Sequence, residues 1–153
     1  EIIEIGAIKV ENGQVVDTMD IFVKPKNPVS YFITNLTGIT NEMLKDGYEI
    51  EDGMKKFIEF SENYTLIAHN ARFDIGFLNS NMNSCFNKSL ENKYLDTVKI
   101  SKEIVKDLPN YKLGTLAKYF NVDYEGAHRA LKDCEITLDI YNNLNEIYSK
   151  TKV

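Results

Sequence analysis

The sequence predicts a mixed α/β fold in which a mixed sheet is flanked by helices. Two strand-like segments near the start flank an Asn-Gly pair, and later short apolar runs alternate with segments of helical periodicity. The chain has 153 residues, 43% of them hydrophobic, which is enough for one domain with a sizeable core. We therefore expect residues 1–153 to form a single domain.

The first predicted element is an antiparallel hairpin that pairs residues 2–10 with residues 15–23. Between these segments, Asn12 and Gly13 form the preferred centre of a tight turn, because both residue types tolerate positive φ. Two prolines follow the second strand and end the pairing, since proline has no N–H to donate to a ladder. The chain is then expected to run as a loop to Thr40, which can cap a short helix.

Helices and strands are predicted to alternate in the rest of the chain. Residues 50–62 repeat apolar side chains at helical spacing, whereas the short apolar run 65–68 indicates a buried strand. Ligands tend to bind outside strand ends in such sheets, and this strand delivers His69 to its end. The later predictions are a helix with Ile75, Leu78 and Met82, a strand over 94–98, a helix with Leu113, Leu116, Ala117 and Phe120, and a last helix that buries Ala130, Leu131, Cys134, Leu138 and Tyr141.

Both histidines stand five residues ahead of an aspartate, since His69 precedes Asp74 and His128 precedes Asp133. Histidine suits proton transfer near neutral pH, and carboxylates bind hard divalent cations. In a regular helix, five residues separate two side chains by about 7.5 Å along the axis and about 140° around it. We therefore expect His128 at the start of the last helix or in the loop before it, with space beside Asp133 for a metal-bound water and a phosphate. The pattern indicates metal-assisted hydrolysis.

Composition narrows the classes of function. The net charge of −5 argues against a broad grip on duplex nucleic acid, but it permits a small site that holds one strand end through metal ions. The sequence has no apolar run that approaches the length of a membrane span and no signal-like start, so a cytoplasmic location is expected. Cys85 and Cys134 are expected to pack as small hydrophobes in a reducing compartment.

Two stretches carry a recognisable pattern: residues 68–77 read Ala-His-Asn-Ala-Arg-Phe-Asp-Ile-Gly-Phe, and residues 128–133 read His-Arg-Ala-Leu-Lys-Asp. They resemble the second and third motifs of the DEDDh exonucleases, a family that includes the proofreading subunit or domain of bacterial DNA polymerase III. Residues 2–8 and 36–40 also match stretches typical of this family. The resemblance implies a ribonuclease H-like fold and 3′-to-5′ removal of nucleoside monophosphates from a DNA end by two Mg²⁺ or Mn²⁺ ions.

The resemblance also implies roles for individual residues. By matching motif positions, Asp74 and Asp133 would be metal carboxylates, and His128 would be the base that deprotonates the attacking water. The expected partners are a single-stranded DNA 3′ end and a replicative DNA polymerase, with no membrane. Five residues would lie near the terminal nucleotide: Thr37, Gly38, Ile39, Asn70 and Phe73.

The chain departs from the family pattern at its start. The first family motif, Asp-x-Glu, lies on a central strand a short way upstream of residues 2–6, and this chain begins after that point. Glu1 and Glu4 are the nearest substitutes, but Glu4 matches a downstream strand of the family. We therefore expect part of a longer polypeptide, without the first central strand, with weakened cation binding and with impaired activity. The neighbours of that strand should also expose unpaired backbone.

Several alternatives stay open from the sequence. One alternative is action on RNA or oligonucleotides instead of DNA, and another is a non-catalytic module that binds a polymerase or a nucleic-acid end. His69 could cap the next helix, and Asp96 could be a structural hydrogen-bonding group or a metal neighbour. Arg72 and Arg129 could contact phosphate or pair with nearby acids, and Phe73 could belong to the core or stack on a base.

Overall fold

The computed structural model describes residues 1–151, in which strands and helices alternate after an initial hairpin. The elements in chain order are β1 (Glu4–Glu11), β2 (Gln14–Phe22), α1 (Tyr31–Thr37), α2 (Asn41–Leu44), α3 (Ile50–Ser61), β3 (Leu66–Ala68), α4 (Ala71–Phe86), β4 (Tyr94–Asp96), α5 (Thr97–Ile104), α6 (Leu113–Tyr119) and α7 (Ala130–Thr151). None of these helices combines the length and the apolar character that a membrane span requires.

The predicted hairpin is confirmed. Strands β1 and β2 pair antiparallel, and the turn between them places Asn12 at φ 52° and Gly13 at φ 77°. These positive angles match the right-handed twist of the flanking strands, which explains the Asn-Gly pair. The predicted cap is also present, because the Thr40 hydroxyl accepts the backbone N–H of Met43 at 3.2 Å and starts α2.

The strands form two separate two-stranded sheets. The first is the antiparallel β1–β2 pair, and the second pairs β3 with β4 in parallel. No strand within residues 1–151 joins the two sheets. Because β3 and β4 are parallel, their carboxyl ends at Ala68 and Asp96 lie side by side. The residues that follow each strand, His69 and Thr97, therefore meet at one edge.

Helix α7 packs against β1 on one side and against α5 and α6 on another. The residues that it buries most differ from those expected from the sequence. Leu131 and Cys134, which lie against Gly6 of β1, are only half buried, although we expected both to be buried. The fully buried residues Ile136, Ile140 and Leu144 instead pack with residues of α6 and with Val105, which follows α5. The prediction was wrong for the five residues expected to be buried, because all of them are intermediate in exposure: Ala130, Leu131, Cys134, Leu138 and Tyr141.

Two helices were not predicted from the sequence. Helix α1 lies where we expected a loop, and none of its residues is buried. Ser30 caps its start by accepting the backbone N–H of Ile33, and Gly38 ends it at φ 76°. Helix α5 begins at Thr97, so the strand predicted over 94–98 is shorter than expected. The buried residues of helix α5 are polar, so apolar periodicity does not indicate this helix.

Candidate active site

Asp96 organises the edge where the two parallel strands end. Its carboxylate accepts the backbone N–H of Asn70 at 3.0 Å and that of Val98 at 2.9 Å. The second bond caps α5, and the first fixes the turn between β3 and α4, where Asn70 adopts φ 62°. Asp96 therefore has the structural hydrogen-bonding role that was one of the two alternatives for this residue.

His69 is half-buried and links two other segments of the chain through its ring nitrogens. Its Nδ1 lies 2.8 Å from the Thr97 hydroxyl, and its Nε2 lies 2.8 Å from the backbone carbonyl oxygen of Tyr111. Burial lowers the pKa of His69, which favours the neutral ring. Since a carbonyl oxygen only accepts, Nε2 carries the proton and Nδ1 accepts from Thr97. His69 does not cap α4, because no side chain does so.

Asp74 occupies the first turn of α4, as expected from its distance to His69. The residue as a whole is exposed, but enough protein atoms surround its carboxyl group that desolvation raises its pKa to about 6. The negative charges of Asp96 and Asp133 raise this pKa further. Asp96 and Asp133, which come from two other segments, therefore lie close enough to act on Asp74.

His128 lies in the loop before α7, where the helix geometry predicted it. Its backbone N–H donates to Asp133 at 3.0 Å, and its exposed imidazole packs edge-on against Tyr124 with ring centroids 6.2 Å apart. Burial raises the pKa of Asp133, while the hydrogen bond from His128 opposes this shift. Because the charge of Asp133 also raises the pKa of Asp74, these two carboxylates lie near each other, and the hydrogen bond to Asp133 holds the His128 backbone beside them.

Arg129 pairs with an acid that the sequence did not single out as its partner. Glu4 on β1 accepts from the Arg129 guanidinium through Nε at 3.1 Å and Nη2 at 2.9 Å, and it accepts the backbone N–H of Ala130 at 3.0 Å. The Glu4 side chain is only 5% exposed. Glu4 is therefore engaged by α7 and its preceding loop. The only hint in the sequence was one charged residue within the apolar run of residues 2–8.

Arg72 and Phe73 both face solvent at the start of α4. Arg72 makes no ion pair within residues 1–151. The Phe73 side chain is 63% exposed and contacts only the neighbouring ring of Phe77 among aromatic residues of the described chain, with centroids 4.9 Å apart. Phe73 is therefore not a core residue. Asn70, just before α4, is exposed as well.

The segment Thr37–Gly38–Ile39 closes the end of α1. The Thr37 hydroxyl donates to the carbonyl oxygen of Ile33 at 2.8 Å and accepts the backbone N–H of Ile39 at 3.1 Å. Gly38 is exposed, whereas Ile39 is buried. Because its side chain is buried, Ile39 would contact a nucleotide only through its backbone. The expected closeness of this segment to the terminal nucleotide stays a prediction.

A cavity of about 380 Å³ lies beside the site. Its polar walls include Asn70, which Asp96 holds in place, and the side chains of two lysines from separate segments. The positive charges of these lysines contrast with the acidic balance of the whole chain. The lining residues are His69, Asn70, Val98, Lys102, Tyr111, Lys112 and Leu113.

The carboxylates of Asp74 and Asp133 fit part of a divalent-cation site. Carboxylate oxygens are the ligands that hard cations prefer, and a bound cation would offset the desolvation and the repulsion that together raise the pKa of Asp74. Within residues 1–151, however, no group of three or more His, Cys, Asp or Glu side chains is arranged to hold a metal ion. The described residues thus supply two carboxylates and leave further ligands to other sources.

The chain is similar to known proteins along most of its length. The sequence model of the family RNase_T, described as Exonuclease, matches residues 1–141. Over 146 residues the chain is 45% identical to DNA polymerase III PolC-type of Caldanaerobacter subterraneus subsp. tengcongensis, covering 95% of this chain and 10% of the relative. Over 140 residues it is 41% identical to the PolC-type polymerase of Clostridium perfringens, covering 92% and 10%. The chain spans about a tenth of the length of these relatives.

Solved structures share the fold. Exonuclease X in complex with 5′ overhanging duplex DNA aligns with a TM-score of 0.76 and 24% identity, over 96% of this chain and 84% of the other. The nuclease domain of 3′hExo, described as a DEDDh family member bound to rAMP, aligns with a TM-score of 0.81 and 19% identity, over 94% and 80%. The ribonuclease H-like fold expected from the sequence is confirmed.

Proposed function

The chain belongs to the exonuclease family RNase_T, and from this membership we propose that it is a metal-dependent 3′-to-5′ exonuclease domain acting on single-stranded DNA ends. The observation that carries the proposal is the convergence of Asp74, His128 and Asp133. The similarity to PolC-type polymerases supports proofreading in DNA replication, with a replicative polymerase as partner. The cytoplasmic location expected from the sequence belongs to the same proposal.

The three residues divide the chemistry between them. His128 is the general base that takes a proton from the attacking water, because its ring is exposed while its backbone is held by Asp133. Asp74 and Asp133 would hold Mg²⁺ or Mn²⁺ through their carboxylate oxygens. When bound, two such ions supply the positive charge that stabilises the attacking and leaving oxygens of a phosphodiester.

The substrate end would meet exposed side chains near the start of α4. Phe73 is suited to stack on an unpaired terminal base, because its ring stands in solvent. Asn70 offers an amide at the edge of the cavity, and Gly38 offers an exposed backbone. Thr37 and Ile39 would hold the segment around Gly38 in shape, since the Thr37 hydroxyl accepts the Ile39 N–H. The selection of a strand end over a duplex fits the acidic charge balance of the chain.

Two other functions remain as alternatives. An exonuclease for RNA or oligonucleotides is supported by the likeness to a nuclease domain solved with rAMP. A non-catalytic module that docks on a polymerase or on a nucleic-acid end is supported by the two-carboxylate set, which is small for a metal centre. The identity of 45% to a DNA polymerase favours DNA as the substrate.

The test compares DNA and RNA cleavage by the full-length natural protein. Single strands of matched sequence are incubated with Mg²⁺ or Mn²⁺, and the released nucleotides are identified. We expect 5′-monophosphates from DNA, with a loss of about 100-fold or more for His128→Ala and for Asp133→Asn. Asp139→Asn is the matched control, because Asp139 is an exposed aspartate farther along α7.

Each outcome discriminates between the three functions. Faster cleavage of RNA than of DNA would replace the proposal with the RNA exonuclease. Binding of a strand end without release of nucleotides by the full-length protein would favour the non-catalytic module. If His128→Ala cleaved DNA as fast as the Asp139→Asn control, the assignment of the base would be overturned.

A further inference from the structure

His128 adopts a backbone conformation that L-amino acids rarely occupy. Its φ is 74°, in the left-handed region, and this costs free energy for a residue with a side chain. Such a conformation persists only where neighbouring contacts enforce it. On one side, the His128 N–H donates to Asp133. After His128, the next two residues, Arg129 and Ala130, make the contacts that hold the chain.

One carboxylate holds both of those residues. Glu4 binds the Arg129 side chain through three contacts of 2.9 to 3.3 Å and also accepts the Ala130 backbone N–H at 3.0 Å. The guanidinium also lies over the ring of Phe22, with its carbon 5.4 Å from the ring centroid. Because Glu4 lies on β1, these contacts attach the segment after His128 to the hairpin.

Strand β1 is shaped to receive this segment. A Cβ atom placed on Gly6 would lie 2.5 Å from the backbone nitrogen of Leu131 and 2.6 Å from the carbonyl carbon of Ala130. Only glycine therefore allows the first turn of α7 to lie against the strand at this distance. The Cys134 thiol lies 3.2 Å from the Gly6 carbonyl oxygen, which adds a contact one turn later. Several contacts therefore fix the position of α7 along β1.

From these contacts we propose that Glu4 and Arg129 are positioning residues for His128. The ion pair fixes the chain directly after His128, so the imidazole keeps one orientation relative to Asp133 and to the attacking water. The pair acts through His128 and does not touch the substrate. This inference rests on the proposed function, in which His128 is the general base.

The physical reason for an ion pair at this position is its geometry. A guanidinium and a carboxylate form a planar, charge-assisted contact that resists rotation more than a single hydrogen bond does. The Glu4 side chain is 5% exposed and the Arg129 side chain is 36% exposed, so solvent screens the pair only in part. Residues that hold a reacting group within a fraction of an ångström can change a rate by about 100-fold. We therefore expect an effect on turnover and little effect on substrate binding.

The experiment is a double-mutant cycle between Glu4→Gln and His128→Ala in the full-length natural protein. Glutamine keeps the shape of the side chain and one acceptor oxygen, but it removes the charge. With His128 present, we expect kcat to fall about 10- to 100-fold and KM to change less than about twofold. With His128→Ala, Glu4→Gln should cause no further loss. A residue with a purely structural role would lower the rate in both backgrounds.

Two more variants keep the test valid if Glu4→Gln folds poorly. Arg129→Lys keeps the charge and should retain more activity than Arg129→Met, which removes it. Glu146→Gln is the matched control, because it breaks an exposed pair with Lys150 near the far end of α7. The control should keep the rate of the unmodified protein. Equal losses for Arg129→Lys and Arg129→Met together with an unchanged Glu4→Gln rate would overturn the proposal.

Amide hydrogen exchange separates this inference from the proposed function. In Glu4→Gln, we expect faster exchange at His128 and Ala130 and unchanged exchange at Ile140, which lies in the buried part of α7. A protein without nuclease activity would refute the proposed function, and its exchange would still report on the loop. Unchanged exchange at His128 would refute the positioning by Glu4 and Arg129, whatever the activity.

Discussion

The carboxylate of Asp96 accepts the backbone N–H of Asn70 at 3.0 Å and thereby joins the end of β3 to the start of α5. The same group caps α5 through the N–H of Val98. One side chain therefore satisfies two backbone donors at the edge where the candidate active site lies. Its negative charge also acts on Asp74, which makes Asp96 important for both stability and electrostatics.

We predict that Asp96→Ala destabilises the protein by about 1–3 kcal/mol, because it removes a helix cap and leaves a second N–H without its acceptor. Urea unfolding at neutral pH measures this loss. Asp96→Asn should lose less, because its amide oxygen can still accept one N–H. Asp139→Ala is the control on an exposed position and should change stability by less than about 0.5 kcal/mol. Equal stability of Asp96→Ala and the control would contradict the prediction.

The raised pKa of Asp74 predicts a pH-dependent stability. The pKa is about 6 in the folded protein and 3.8 as the ordinary value, so the folded state binds this proton more tightly. The stabilising contribution is complete below pH 3.8 and is lost as pH rises through about 6. Asp74→Asn should therefore be more stable than the unmodified protein at pH 8, by up to about 1 kcal/mol because solvent screens this exposed residue.

Thermal unfolding of Asp74→Asn and the unmodified chain at pH 4 and pH 8 provides the measurement. The difference in Tm should be larger at pH 8 than at pH 4, and Asp139→Asn should show no such trend. Removal of the neighbouring charge by Asp96→Asn should lower the pKa of Asp74. A Tm difference for Asp74→Asn that grows toward acid would show that the sign is wrong.

Gly6 and Gly76 form a matched pair for testing how closely α7 approaches β1. Alanine at position 6 would place its Cβ against the backbone of α7, so Gly6→Ala should destabilise by roughly 1–3 kcal/mol. Alanine at position 76 would meet nothing within 4 Å and would favour helix α4, so Gly76→Ala should stabilise by about 0.5–1 kcal/mol. Chemical unfolding of both variants tests the prediction, which fails if both substitutions shift stability in the same direction.

The 153-residue chain alone should bind Mn²⁺ weakly and show little or no nuclease activity. Its described residues supply Asp74 and Asp133, but they contain no group of three or more potential ligands that could hold an ion. His128→Ala should then change nothing further. Calorimetric titration with Mn²⁺ and release of nucleotides from a DNA strand are the two measurements. Rapid turnover that disappears on His128→Ala would contradict this expectation.

The parts of the fold that follow local rules could be predicted from the sequence. The turn at Asn12 and Gly13 follows from backbone sterics, and the position of His128 before α7 follows from the geometry of a helix. Helix α5 escaped prediction because Thr97 and Val98 are β-branched residues that resemble a strand, while the capping bond from Asp96 decides the helix.

Contacts between distant residues could not be predicted in this way. Glu4 and Arg129 lie 125 positions apart, and their pairing depends on how α7 lies against β1. The resemblance to a family identified Asp74, His128 and Asp133 as candidates, but it did not reveal which acid holds the loop. The buried residues of α7 were also misjudged, because a helix between two surfaces carries two apolar stripes and periodicity alone does not rank them.

The distance along the chain between Glu4 and Arg129 has a consequence for synthesis. Translation begins at the amino end, so the hairpin leaves the ribosome long before its helical partner exists. Until Arg129 and Ala130 have emerged, the Glu4 carboxylate has neither of these donors. Contacts of such high contact order form slowly. A nascent chain therefore cannot assemble this constellation until nearly the whole domain has been made.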